Sequence, residues 1–215
     1  MDKAPSGRTA LYLIRHGEAA NNVRQNYIAG RSNELPLTAK GITQSRRLGQ
    51  ALLTIGLCPD QAFSSPANRA RQTAETTLET MGISSYMPII EDGRLQEQDT
   101  GEWTGCVATE IFTPDTLARI DALGNDFRSP GGESFNDVGA RMLNWANSLE
   151  DETRVFAFTH GGAIRCLASQ LHDWSHEQTY QTRPNNTSLS LFLRDEDGWR
   201  LDYIGKEVEQ LEEIQ

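Results

Sequence analysis

Residues 10–18 read Ala10-Leu11-Tyr12-Leu13-Ile14-Arg15-His16-Gly17-Glu18. Five consecutive apolar side chains predict a strand covered on both faces, as in a parallel sheet, with an Arg-His pair at its C-terminal end. The arrangement returns far along the chain. Val155-Phe156-Ala157-Phe158 predicts a second buried strand, followed by Thr159-His160-Gly161-Gly162 and a helix to about Leu171. A shorter strand, Gln61 to Ser64, leads into the segment Ser65 to Arg69. In open α/β sheets ligands collect beyond the C-terminal ends of the strands, so these three distant segments are expected at one site.

Helices fill the intervals. Leu37-Thr38 opens one that runs to about Ile55, with Thr38 as N-cap and Gly56 as the stop. A second runs from Pro66 to Met81 and ends at Gly82. A third, Glu133 to Leu149, follows from the spacing of Phe135, Val138, Met142, Leu143 and Trp145. Tyr86 to Ile90 reads as another strand, and Ser188–Leu193 with Trp199–Tyr203 as a hairpin turning at Asp197-Gly198. Residues 101–130 read as irregular, with short helices near Val107–Phe112 and Asp115–Leu123. The alternation predicts an α/β three-layer sandwich, a mostly parallel sheet with helices on both faces. No repeat or long linker divides the 215 residues, so one domain is expected over residues 1–215, with a small cap at about 98–130.

A net charge of −10 argues against a general nucleic-acid binder, whose affinity rests on Lys and Arg neutralising phosphates. It leaves room for a small phosphorylated ligand in a local cationic pocket. No apolar run approaches the ~20 residues that cross a bilayer. Met1 to Thr9 is polar and lacks the apolar core of a signal peptide. Cys58, Cys106 and Cys166 have no metal-ligand spacing, and a reducing cytoplasm is expected. The expected partner is a small molecule, not nucleic acid or membrane, and a homodimer is left open.

Arg15-His16-Gly17-Glu18 resembles the histidine phosphatase superfamily, also called phosphoglycerate mutase-like. The resemblance continues through Asn22, Gly30-Arg31, Pro36-Leu37-Thr38 and Gly41, and through Ser64-Ser65-Pro66-Ala67-Asn68-Arg69-Ala70-Arg71-Gln72-Thr73-Ala74. It includes Leu95-Gln96-Glu97, Gly101-Glu102-Trp103-Thr104-Gly105, Gly131-Gly132-Glu133-Ser134, Thr159-His160-Gly161-Gly162 and Asn186-Thr187-Ser188. The blocks keep the family's order over about residues 10–192.

The resemblance implies that His16 is a nucleophile forming a phosphohistidine. It implies that Arg15, Asn22, Arg69 and His160 bind the phosphoryl group. Glu97 is implied as the acid that protonates the leaving oxygen and then activates water, with Glu18 and Glu102 as competing carboxylates. That chemistry needs no cofactor or metal, since arginine and histidine supply the positive charge. Mutases of the family usually carry a long insertion and a tyrosine-glycine pair near the acid. Here Gln98-Asp99-Thr100-Gly101 follows Glu97, and a short cap ends at Pro130. The expected activity is therefore hydrolysis of a small phosphomonoester, with a mutase or a non-catalytic phospho-ligand binder as alternatives. The chain departs from the family pattern at Ala19-Ala20, at Cys106 and at Ser32-Asn33-Glu34-Leu35. His172 and His176, spaced i, i+4, would share a helix face as a metal pair does, but no third ligand stands near them in sequence.

Overall fold

The computed structural model describes residues 8–23, 26–207 and 209–210. In chain order the elements are β1 (Thr9–Arg15), α1 (Ala20–Val23), α2 (Ala39–Thr54), β2 (Gln61–Ser64), α3 (Asn68–Thr80), β3 (Ile89–Glu91), α4 (Ala108–Ile111), α5 (Pro114–Leu123), α6 (Phe135–Asn147), β4 (Arg154–Thr159), α7 (Gly161–His172), α8 (His176–Gln181), β5 (Leu189–Asp195) and β6 (Gly198–Lys206). The strands form one sheet in the order β3-β2-β4-β1-β5-β6. β3, β2, β4 and β1 are parallel, and β5 and β6 are antiparallel additions.

The apolar run of β1 explains the layering. Side chains alternate across a strand, so Leu11 and Leu13 join one core and Ile14 another. The first core packs Val138, Met142 and Trp145 of α6 and Ile164 and Leu167 of α7 against the sheet. The second packs Leu48 and Leu52 of α2 and Leu78 of α3 against the opposite face. The predicted sandwich is the one observed.

The predicted N-cap of α2 is observed, and α6, expected from Glu133, starts at Phe135 behind a cap that apolar spacing did not show. Thr38 Oγ1 accepts from Gly41 N–H at 3.1 Å, and Ser134 and Asp137 close a reciprocal capping box at the start of α6. Four expectations shift. The helix expected from Pro66 begins at Asn68, because Ser65 Oγ holds the Ala67 N–H and Asn33 O takes that of Asn68. The strand expected at Tyr86–Ile90 is β3, three residues later at its start. Tyr86 and Met87 N–H both turn back to Ile83 O, and Pro88 has no N–H to offer a ladder. The hairpin turns at Glu196-Asp197, one residue early, and β6 extends to Lys206. α8 was not foreseen; Ser175 caps it by accepting from Gln178 N–H. His172 and His176 consequently lie on two helices separated by the left-handed residue Asp173, and they share no face. His172 Nε2 instead accepts from Leu201 N–H.

Candidate active site

β2, β4 and β1 are parallel neighbours, so their C-terminal ends meet at one edge of the sheet. The backbone ladder runs one step beyond each strand: His16 N–H donates to Thr159 O, and Ser65 N–H to Phe158 O, both at 2.9 Å. This places His16, Ser65 and His160 side by side. Arg69 reaches them from the first turn of α3. His16 is 2% exposed, and His160 and Arg69 are fully buried.

Hydrogen bonds set both tautomers. His16 Nδ1 faces Gly17 O at 2.7 Å, and a carbonyl only accepts, so Nδ1 carries the proton. His16 Nε2 is left with its lone pair, facing Arg69 Nε–H at 3.2 Å. Arg69 Nη2 donates to His160 Nδ1 at 3.1 Å, which leaves His160 Nε2–H to donate to Ser65 Oγ at 2.9 Å. Arg69 also donates from Nη1 to Ser32 O and from Nη2 to Arg31 O. One guanidinium thus bridges two imidazoles whose rings lie 5.2 Å apart.

Arg15 leaves the end of β1 and donates from Nη1 to Pro184 O at 2.6 Å, while its buried Nε has no partner. Glu97 lies opposite the start of α7. Its Oε2 accepts from Gly162 N–H at 3.1 Å and its Oε1 from Gln98 N–H at 2.9 Å. The carboxylate can hold this position only beside a glycine, since a Cβ on Gly162 would stand 2.1 Å from Glu97 Oε1. Arg141 on α6 fixes the Glu97 backbone, donating from Nη2 to Glu97 O while paired with Glu133.

Burial pushes both histidines well below the ordinary imidazole value of 6.5, and Arg69 pushes each further the same way. Both are neutral at neutral pH, so the positive charge expected from arginine and histidine together rests on the arginines. The unfolded chain takes up protons on these groups as pH falls below about 6.5, whereas the folded chain does not. Their contribution to stability is complete above that value and is lost on acidification. Each histidine should remove up to about 1.4 kcal/mol per pH unit below about pH 6.5. Urea unfolding at several pH values measures this, and His16→Gln should remove one histidine's share of the slope.

Asn22 is exposed on α1 and does not touch the imidazoles. Its Oδ1 accepts from Ala19 N–H, and Asn186 links it to the site by donating to His16 O at 2.8 Å. Glu18 is engaged by Lys40 and Thr38 at the start of α2, which hold its carboxyl below the usual range. A cleft opens beside the site, lined there by Arg15, Glu97, Gly161 and Gly162; neither Glu18 nor Glu102 lines it. Ser65, Thr73, Arg141 and Asn186 had no role in the sequence reading. Ser65 ends a predicted strand, and that was its available signal. The others act on backbone or hydroxyl groups far away in sequence, such as Thr73 Oγ1 on Gly17 N–H.

A transferring phosphoryl group spreads negative charge over three equatorial oxygens, and a neutral imidazole lone pair ringed by fixed cationic donors suits it. The class these features define is a phosphoryl-transfer enzyme. The chain belongs to the histidine phosphatase superfamily, branch 1, whose family model matches residues 11–207. It is similar to a 2,3-bisphosphoglycerate-dependent phosphoglycerate mutase of Methylobacterium radiotolerans, 33% identical over 175 residues that make up 78% of this chain and 81% of that one. Among solved structures it resembles a mycobacterial glucosyl-3-phosphoglycerate phosphatase, with 25% identity, a TM-score of 0.77, and coverage of 93% of this chain and 100% of that one. It also resembles YhfR of Bacillus stearothermophilus, with 28% identity, a TM-score of 0.78, and coverage of 92% and 97%.

Proposed function

We propose that the protein hydrolyses a small phosphomonoester through a phosphohistidine on His16. The observation that carries this reading is the buried bridge of Arg69 between the His16 lone pair and His160. It supplies a nucleophile and donors at one point. His16 Nε2 attacks phosphorus as the bond to the alcohol oxygen breaks. Arg15 Nε, Arg69 and His160 hold the equatorial oxygens, with Asn22 Nδ2 as an outer donor. Glu97 passes its proton to the leaving oxygen, then takes one from the water that attacks phospho-His16, releasing inorganic phosphate. Arg69 Nε lies on the His16 lone pair in the free site, so substrate binding must shift that donor to a phosphoryl oxygen.

Among the described residues no three His, Cys, Asp or Glu side chains gather as a metal site, and no helix is long and apolar enough to cross a membrane. Cys58, Cys106 and Cys166 are unpaired thiols, in keeping with a reducing compartment. Dialysis against EDTA should leave turnover essentially unchanged. Loss of turnover that zinc or magnesium restores would overturn the proposed charge balance.

The mutase reading is favoured by the curated relatives named above. Overall length does not separate the two, because the match to that mutase covers 81% of it and 78% of this chain. The products decide. With 3-phosphoglycerate, release of inorganic phosphate supports hydrolysis, and accumulation of 2-phosphoglycerate in the presence of 2,3-bisphosphoglycerate supports transfer to a second hydroxyl.

A further inference from the structure

The cleft beside the buried histidines, which Arg15, Glu97 and Gly161-Gly162 line at that end, has a volume of about 440 Å³, far more than a phosphoryl group needs and within the range of small-molecule sites. Its far end is built from a stack. Phe135, His176 and Tyr180 lie in sequence, with ring centroids 5.2 and 6.3 Å apart. Arg165 sits over Phe135 at 5.0 Å and over Tyr180 at 5.6 Å, and Arg183 over Tyr180 at 4.8 Å. Stacking of this kind holds a guanidinium plane in place, so presenting its N–H groups to a ligand loses little side-chain freedom.

Among the described residues neither arginine enters an ion pair; Arg165 donates from Nη1 to Tyr180 O, and its buried Nε has no partner. Two further buried polar atoms of this cleft are unpartnered, Ser129 Oγ and His176 Nδ1. Unpaired buried polar groups are uncommon and costly, and their gathering in one cleft points to a ligand that completes them. Asp121 is the carboxylate felt at His176, and the cleft's own carboxylate, Glu97, lies at the other end, against the first turn of α7. Arg165 also acts on Arg15 electrostatically, which ties the two ends of the cleft together. The cleft is also lined by Trp103 and Phe127, whose ring centroids lie 5.5 Å apart, and by Phe112 and Ile120.

We infer that the alcohol half of the substrate carries a second anionic group, held by Arg165 and Arg183, on a flat or apolar body that lies against Trp103 and Phe127. The inference rests on the phosphatase reading and names the substrate class of that site. Binding adds no step to the chemistry: the second anion is held, not transformed.

A matched pair of aryl phosphates tests it. 4-Carboxyphenyl phosphate and 4-carbamoylphenyl phosphate have nearly the same shape and differ by one charge. The carboxylate should raise kcat/KM about tenfold or more over the amide, the scale of a hydrogen bond to a charged group. Arg165→Gln should bring that ratio toward one. Arg183→Gln, at an exposed side chain that folding does not depend on, should lower it in the same direction, and added salt should compress it. Turnover of both probes at equal kcat/KM, or a ratio untouched by either substitution, would overturn the inference while leaving the phosphatase reading intact. Turnover of neither probe would remove both.

Discussion

His16→Ala should reduce turnover by about 10⁶-fold, the scale seen when a covalent nucleophile is removed from an enzyme whose remaining groups act only in concert with it. Two bonds mark the proposed nucleophilic atom: Nδ1–H is committed to Gly17 O, and Nε2 is the atom that faces Arg69. No other imidazole can substitute, because His160 directs Nε2–H at Ser65 and Nδ1 at Arg69. Acid-quenched mass spectrometry of the native enzyme during turnover should find an acid-labile phosphate on the peptide carrying His16. His16→Gly supplied with free imidazole should recover part of the lost rate, which separates a missing nucleophile from a damaged fold. Near-native activity in His16→Ala, or phosphate on another residue, would rule out the mechanism.

Glu97→Gln should lower the rate on an alkyl phosphate by about 10²–10⁴-fold, the usual worth of general acid catalysis. The loss should shrink for an aryl phosphate with an acidic phenol, whose anion leaves unaided. Gln keeps an oxygen able to accept from Gly162 N–H, so the substitution removes the proton and spares much of the positioning. Burst-phase measurements separate phosphorylation of His16 from hydrolysis of the phosphohistidine, which Glu97→Gln should also slow. Gly162→Ala is the companion test: its Cβ would stand 2.1 Å from Glu97 Oε1, so it should displace the carboxylate and reproduce part of the same leaving-group dependence. Equal losses on alkyl and aryl phosphates would reduce Glu97 to a positioning role.

Residues 10–16 by themselves dictated a doubly buried strand, because a run of apolar side chains with period-two alternation must find cover on both faces. Repetition of the strand-His-Gly pattern at Val155–Gly161, with helical spacing between, sufficed for the α/β sandwich and for placing His16, Ser65–Arg69 and His160 at one edge. Thr38 was legible as a cap because capping is local, whereas the Ser134 cap emerged only with the structure. The shifts at Asn68 and Ile89 were not, since each was decided by a hydrogen bond or a missing N–H outside the periodic pattern.

Chemical states in the site belong to the tertiary structure alone. Which nitrogen of His16 keeps its lone pair depends on Gly17 O and Arg69, and the neutrality of His160 depends on complete burial beside Arg69. Neither burial nor partner distance is written in a tripeptide. The far end of the cleft is of the same kind. Arg165, His176, Tyr180 and Arg183 come from α7, from α8 and from the segment after it, and Phe135 from α6. Their stack exists only because Asp173 ends α7 in a left-handed turn and brings α8 back across it. Sequence spacing would put His172 and His176 on one helix face; the helix break between them sent one imidazole to β6 and the other into the cleft.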